Sequence, residues 1–224
     1  MSEIREEGAR EAILRRLRAQ ARDVPHPAPW RSRRHFEDIV GRFEGMVREV
    51  GGEVLRVASL AIVQEKLHTL FQTLTPKRII VNPDPPLPSI PFSQKWPHIH
   101  WLIVHPQTPP DTIRAFANQA DIGISGAIAG FAETGTVVIA AGPTHSRLAV
   151  LLPPVHIVLL PVTSITTDVF TWIPNRPRPL PSNVVWITGP SKTADIEQTL
   201  ATGVHGPGRL IVLLLEETAT ESSQ

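Results

Sequence analysis

The chain contains no cysteine. That absence excludes disulfides, a thiolate nucleophile and any cysteine-ligated iron–sulfur cluster within the chain. Long apolar runs are missing too. The most apolar stretch, Leu148–Val162, is interrupted by Pro153, Pro154 and Pro161 and carries His156, so it does not read as a membrane span. Met1–Arg22 is charged throughout and does not resemble a secretory leader, which makes the cytoplasm the expected location. Charge excess is absent as well: 22 basic against 21 acidic residues leave a net charge of +1. No whole-molecule field exists to draw in nucleic acid. The imbalance is local. Met1–Arg34 holds nine arginines, no lysine and five acids, a basic helix and arm ahead of a near-neutral body. Such a segment is either a solvated face or a docking element for an acidic partner.

With 224 residues the chain suits one domain plus an extension. Three segments are expected: a basic helix with a proline-rich linker over 1–30, an α/β domain over 31–216, and a disordered tail over 217–224. The spacing predicts helices over 3–22, 36–50, 59–74 and 111–119. The first places Ile4, Ile13, Leu14 and Leu17 near one face, and the third is capped by Ser59. VPHPAPW at 24–30 is a linker. Strands are expected at 78–81, 99–104, 122–129, 136–140, 155–160, 184–188 and 210–215. They are short and apolar on both faces, as in a buried, mostly parallel sheet flanked by helices. After Pro161 the chain predicts a short turn of helix and then an extended loop, because four prolines fall between Pro174 and Pro181.

Three constellations could carry chemistry. GPSKTADIEQTLATGVHGP, Gly189–Pro207, lies between the last two strands and reads as a β-α-β unit. Thr193 would cap its helix, Asp195 and Glu197 would fill the first turn, and Gly203 would end it. The free N–H groups of that helix start, the hydroxyls of Ser191 and Thr193 and the Lys192 ammonium would suit a carboxylate or phosphate; plain capping is the alternative. No glycine precedes Lys192, so the phosphate-loop pattern of nucleotide hydrolases fails. At the exit, Gly203, Gly206 and Gly208 permit close backbone approach, and His205 can exchange a proton near neutral pH. His205 and Lys192 would share a pocket only if the helix is short or the chain folds back. AETGT at Ala132–Thr136 puts Glu133, Thr134 and Gly135 at a strand end, where open α/β sheets place ligands. A cap or an ion pair with Arg147 is the structural alternative. Glu133, Ser191, Lys192 and Thr193 are therefore expected as one anion-binding cluster at the carboxyl ends of the strands. Last, His98 and His100 would share a strand face, yet no third ligand follows at a diagnostic spacing, so no metal site is expected.

AETGT, LLPPVHIV at Leu151–Val158 and GPSKTADIEQTL-x-x-GVHGP occur in an order that resembles the LUD-domain proteins of the lactate-utilization C type (LutC/YkgG). The resemblance covers roughly residues 100–216. It implies the α/β fold shared by coenzyme A transferases, ribose-phosphate isomerases and glucosamine-phosphate deaminases (NagB/RpiA/CoA transferase-like). It also implies a part in oxidising L-lactate to pyruvate within a multi-protein system. Because this chain lacks cysteine, iron–sulfur clusters are expected on its partner proteins, with no cofactor bound here. Glu133 would be the catalytic candidate by analogy with the transferase nucleophile. Many relatives have an acid near the position of Ile128, whereas SGAIAGF here has none. The alternative is an independent transferase- or isomerase-like enzyme acting on an acyl-coenzyme A or sugar-phosphate substrate. Whether the chain is itself an enzyme stays open at this point.

Overall fold

The computed structural model describes residues 2–20, 30–176, 178–179, 181–193, 201–203 and 205–216. Contacts divide the chain into two units, Met1–Arg31 and Ser32–Gln224. The first holds one helix, α1 (Ser2–Gln20). Its Ile13 and Leu17 are each 59% exposed, so the apolar face read from the sequence is not buried at these positions.

The second unit begins with α2 (Ile39–Glu49), whose first turn is capped by Asp38, accepting from Gly41 N–H at 2.8 Å. The strand β1 (Glu53–Val57) follows, and was not expected from the sequence. It mixes exposed and buried positions because it lies at an edge, where Glu53 and Arg56 are exposed. Next come α3 (Leu60–Leu74), capped by Ser59 as read from the sequence, and β2 (Arg78–Val81). They lead to α4 (Phe92–Lys95), β3 (His100–Ile103), α5 (Pro110–Ala117) and β4 (Ile122–Gly126). A hairpin of β5 (Ala129–Phe131) and β6 (Thr136–Ala141) precedes α6 (Leu148–Leu151) and β7 (Val155–Pro161). Short helical turns flank β8 (Ile165–Thr166) and include α7 (Val169–Trp172). The chain then forms β9 (Asn183–Ile187), the two-residue strands β10 (Lys192–Thr193) and β11 (Ala201–Thr202), and β12 (Arg209–Leu215).

Six strands form the main sheet in the order β1-β12-β7-β4-β2-β3, parallel throughout. The mostly parallel α/β class is thus the observed one. Odd and even positions of these strands feed two cores. Ile79, Val81, Ile122, Ile124, Ile157, Leu159, Ile211 and Leu213 pack with Val63, Leu67 and Phe71 of α3. On the other face Val158, Leu160, Val212 and Leu214 pack with Phe43 and Val47 of α2 and with Val137 and Ile139 of β6.

Two expectations are corrected. The strands at 136–141 and 183–187 do not join the parallel sheet; they belong to a second, four-stranded sheet, β8-β5-β6-β9, in which β6 pairs antiparallel with both neighbours. Apolar composition alone does not distinguish the two sheets, since β6 is nearly as buried as a strand of the parallel sheet. Lys192–Thr193 and Ala201–Thr202 are short strands, so Gly203 follows a strand and not a helix. Lys192 and Thr193 pair antiparallel with Thr202 and Ala201. The helix body predicted over 194–200, with Asp195 and Glu197, lies outside the described residues, as does the tail over 217–224.

Candidate functional site

The order of the main sheet reverses between β2 and β4. From β2 the chain moves to β3 at the edge, crosses back to β4, and then leads on to β7 on the far side. The loops leaving β2 and β4 therefore part in opposite directions, and a crevice opens at their carboxyl ends. Asn82 and Asp84 leave β2 at this point. Asn82 is 1% exposed and grips the backbone of Ser146 twice: its Oδ1 accepts from Ser146 N–H at 2.9 Å, and its Nδ2 donates to Ser146 O at 3.1 Å. The Asp84 Oδ2 accepts from Gly126 N–H, at the end of β4, at 2.9 Å. Its Oδ1 pairs with His145 Nε2 at 3.0 Å. The other ring nitrogen, Nδ1, lies 2.5 Å from Thr144 Oγ1.

The loop carrying Thr144 and His145 is a tight turn. Gly142 and His145 exchange backbone hydrogen bonds of 2.9 and 3.1 Å, with Pro143 and Thr144 at the corner. A cleft of about 510 Å³ opens beside it, lined by Arg114, His145, Ser146, Arg147, Ser182 and Asn183 among others. A second cleft of about 360 Å³, lined by Val104, Pro106 and Ile113, shares Arg114, Gly142, Ser146 and Leu148 with the first. The hydrogen bond to the Asp84 carboxylate raises the His145 pKa above its ordinary value, against the opposing effect of partial burial. Arg114, Arg147 and His145 give the larger cleft a basic lining; Arg114 is also paired with Asp111 at 3.5 Å, and His145 with Asp84.

The residues read from the sequence lie elsewhere. Glu133, Thr134 and Gly135 form the β5–β6 turn. Gly135 adopts φ +67°, and a Cβ there would stand 2.5 Å from Val47 N, so the turn is seated directly on α2. Glu133 is paired with Arg34, not with Arg147. Thr134 is exposed, and its hydroxyl begins a chain through Thr136 to Thr188, each step 2.7 Å. Lys192 Nζ donates to Val50 O at 2.8 Å, placing its charge at the C-terminal end of α2, where the helix dipole favours a cation. The GPSK loop thus flanks the start of β1, at the amino edge of the main sheet, and Lys192–Thr193 runs as a short strand. The physical reason is that its preceding strand, β9, belongs to the second sheet.

The exit loop does fold back onto the entry. Ser191 N–H donates to Pro207 O at 2.8 Å, Gly203 N–H donates to Ser191 O at 2.9 Å, and a Cβ on Gly206 would stand 3.3 Å from Ser191 Cβ. His205 is exposed in this loop. His98 lies in the turn before β3 while His100 opens the strand, so the pair shares no strand face. Among the described residues no three His, Asp or Glu gather as a metal site.

Sequence reasoning missed Asp84, His145 and Asp168. Asp168 is fully buried, caps α7 by accepting from Thr171 N–H and Oγ1 at 2.8 and 2.9 Å, and faces Arg34. Burial pushes its pKa up, but hydrogen bonds from Ser32 and Thr171 and the Arg34 charge outweigh this, leaving it below the usual value. The signal available for Asp84 and His145 was positional: a polar residue just after a buried strand, and a Gly-Pro turn carrying a histidine.

The architecture is that of an α/β domain with a crevice at the switch point of its parallel sheet. The LUD domain profile matches residues 40–215, and the chain belongs to the LUD-domain family. It is 39% identical over 114 residues to Lactate utilization protein C of an Exiguobacterium species, covering 48% of this chain and 50% of that protein. It is 36% identical over 107 residues to Lactate utilization protein C of Bacillus subtilis, covering 45% of each. The chain spans about half the length of the curated relatives it matches. In fold it is similar to the crystal structure of a DUF162-family protein of Deinococcus radiodurans (TM-score 0.56, 20% identity, 80% of this chain and 97% of that one). No helix among the described residues is long and apolar enough to cross a membrane.

Proposed function

We propose that this chain is a C-type component of a cytoplasmic L-lactate utilization system, binding a small carboxylate in the switch-point cleft. The observation that carries the reading is the similarity to proteins named Lactate utilization protein C, at 36–39% identity. The cleft supplies the chemistry. Arg114, Arg147 and His145 surround it, and a 2-hydroxy or 2-oxo carboxylate is small, anionic and hydrogen-bonding. Oxidising lactate releases two electrons, for which a chain without cysteine offers no iron–sulfur ligands. Partner proteins carrying such clusters complete the system in this reading, and the arginine-rich N-terminal helix is the proposed docking element.

The test is genetic and biochemical. Removing the gene from its native host abolishes growth on L-lactate and spares growth on pyruvate, and the tagged chain co-purifies with iron–sulfur proteins. Growth on lactate at the wild-type rate refutes the reading. A second reading, an independent acyl- or sugar-phosphate enzyme, is favoured by one observation only, the hydroxyl–imidazole–carboxylate chain at Thr144, His145 and Asp84.

A further inference from the structure

We propose that Thr144, His145 and Asp84 form an acyl-transfer relay, with the Thr144 hydroxyl as nucleophile toward activated esters and thioesters. Of the relay, His145 lines the same cleft as the carboxylate reading, but the relay does not depend on lactate being its ligand. The geometry is that of an activated nucleophile: a hydroxyl within hydrogen-bond reach of a base, and the base oriented by a third group. Thr144 Oγ1 lies 2.5 Å from His145 Nδ1, and His145 Nε2 lies 3.0 Å from Asp84 Oδ1. The carboxylate holds the imidazole proton on Nε2. In the neutral ring Nδ1 is therefore the free acceptor, and the hydroxyl donates to it.

Every member of the relay is fixed from outside it. Gly126 N–H holds the second oxygen of Asp84 at 2.9 Å. Two backbone hydrogen bonds close the Gly142–His145 turn, and Asn82 clamps Ser146 immediately after it. A purely local contact between neighbouring residues would need none of these supports. They are what preorganises a reacting group. Asp84 and His145 are largely screened from water, with 13% and 25% of their side chains exposed, while Thr144 stays partly accessible.

The step balances without any redox partner. Thr144 Oγ1 bonds to the acyl carbon and its proton passes to His145 Nδ1. The bond from that carbon to the leaving oxygen or sulfur breaks, and the leaving group departs with the electron pair and takes the proton from Nδ1. Water then attacks the acyl-threonine, again giving its proton to Nδ1, and the carboxylic acid leaves as Thr144 is restored.

The experiment uses the full chain with p-nitrophenyl acetate and with an acetyl thioester of a simple thiol. The expected result is a burst of product followed by slow turnover, and one acetyl group on Thr144 in peptide mass spectra. Thr144→Val and His145→Gln abolish the burst, Thr144→Ser retains it, and Asp84→Asn slows it about a hundred-fold or more. The rate rises with pH through the His145 titration, and Asp84→Asn moves that midpoint to lower pH, which a purely structural role would not do. Where His145→Gln fails to fold, Thr144→Val, which keeps the branched shape, carries the test. Equal product release by wild type and Thr144→Val, or acetyl groups only on other residues, overturns the proposal. Loss of lactate-dependent growth with an intact burst, or the reverse, separates this proposal from the lactate reading.

Discussion

Acidification should destabilise this fold through one residue, His156. The imidazole is fully buried on β7. Its Nε2 meets Ser125 Oγ at 2.9 Å, while Nδ1 has no hydrogen-bond partner. Burial alone pushes its pKa down from 6.5 to about 3. The folded protein therefore holds His156 neutral, and the unfolded chain takes up the proton first. Stability rises with pH between about 3 and 6.5 and is lost as pH falls through that window. At about 1.4 kcal/mol per pH unit the whole window is worth roughly 5 kcal/mol, and roughly 3 of these are gone by pH 4. That is a large share of the roughly 5–15 kcal/mol that holds a domain together. The comparison protein is His156→Leu. It leaves Ser125 without its partner, a cost of about 1–2 kcal/mol at pH 7, but it takes up no proton. His145, whose raised pKa favours the folded state at low pH, and Glu53 and Asp168, whose lowered pKa values do the opposite, act in both proteins and cancel in the comparison. Urea unfolding followed by tryptophan fluorescence at pH 7 and pH 4 gives the result. Wild type should lose about 3 kcal/mol more than the variant on acidification. An equal loss in both refutes the reasoning.

Further outcomes follow from packing and charge. Gly123→Ala places a Cβ 1.8 Å from the backbone oxygen of Ala149, so thermal unfolding should show a loss of about 3 kcal/mol or more, or no folded protein. Lys192→Met removes the cation at the end of α2; denaturation should show a loss of about 0.5–1 kcal/mol, with carboxylate binding in the cleft unchanged. Deleting residues 1–30 should weaken capture of partner proteins in a pull-down while the melting temperature of the second unit stays the same.

Much of the parallel sheet was legible in the sequence because its strands are short apolar runs separated by helices with clear stripes, such as Val63, Leu67 and Phe71 of α3. The edge strand Glu53–Val57 was not, because half of it faces solvent and carries charge. The second sheet was hidden for the opposite reason: β6 is nearly as buried as a central strand, and composition does not report pairing direction. The AETGT and GPSKT motifs stand out in the sequence through residues that secure α2: Gly135 against Val47 and Lys192 on Val50. A glycine that lets a turn sit on a helix and a glycine that admits a ligand have the same appearance in a sequence. Asp84 and His145 are 61 positions apart, and they meet where Asn82, at the end of β2, holds the backbone of Ser146.

The most direct test of the account is calorimetric titration of the wild-type chain and of Arg147→Ala, His145→Gln and Glu133→Gln with L-lactate and with pyruvate. A carboxylate held in the switch-point cleft predicts binding to wild type that weakens as pH rises through the His145 titration. It also predicts about ten-fold or greater weakening in the Arg147 and His145 variants and no change in Glu133→Gln. Binding lost in Glu133→Gln and retained in the other two would contradict it, placing the ligand at the Arg34–Glu133 pair instead of the switch-point cleft.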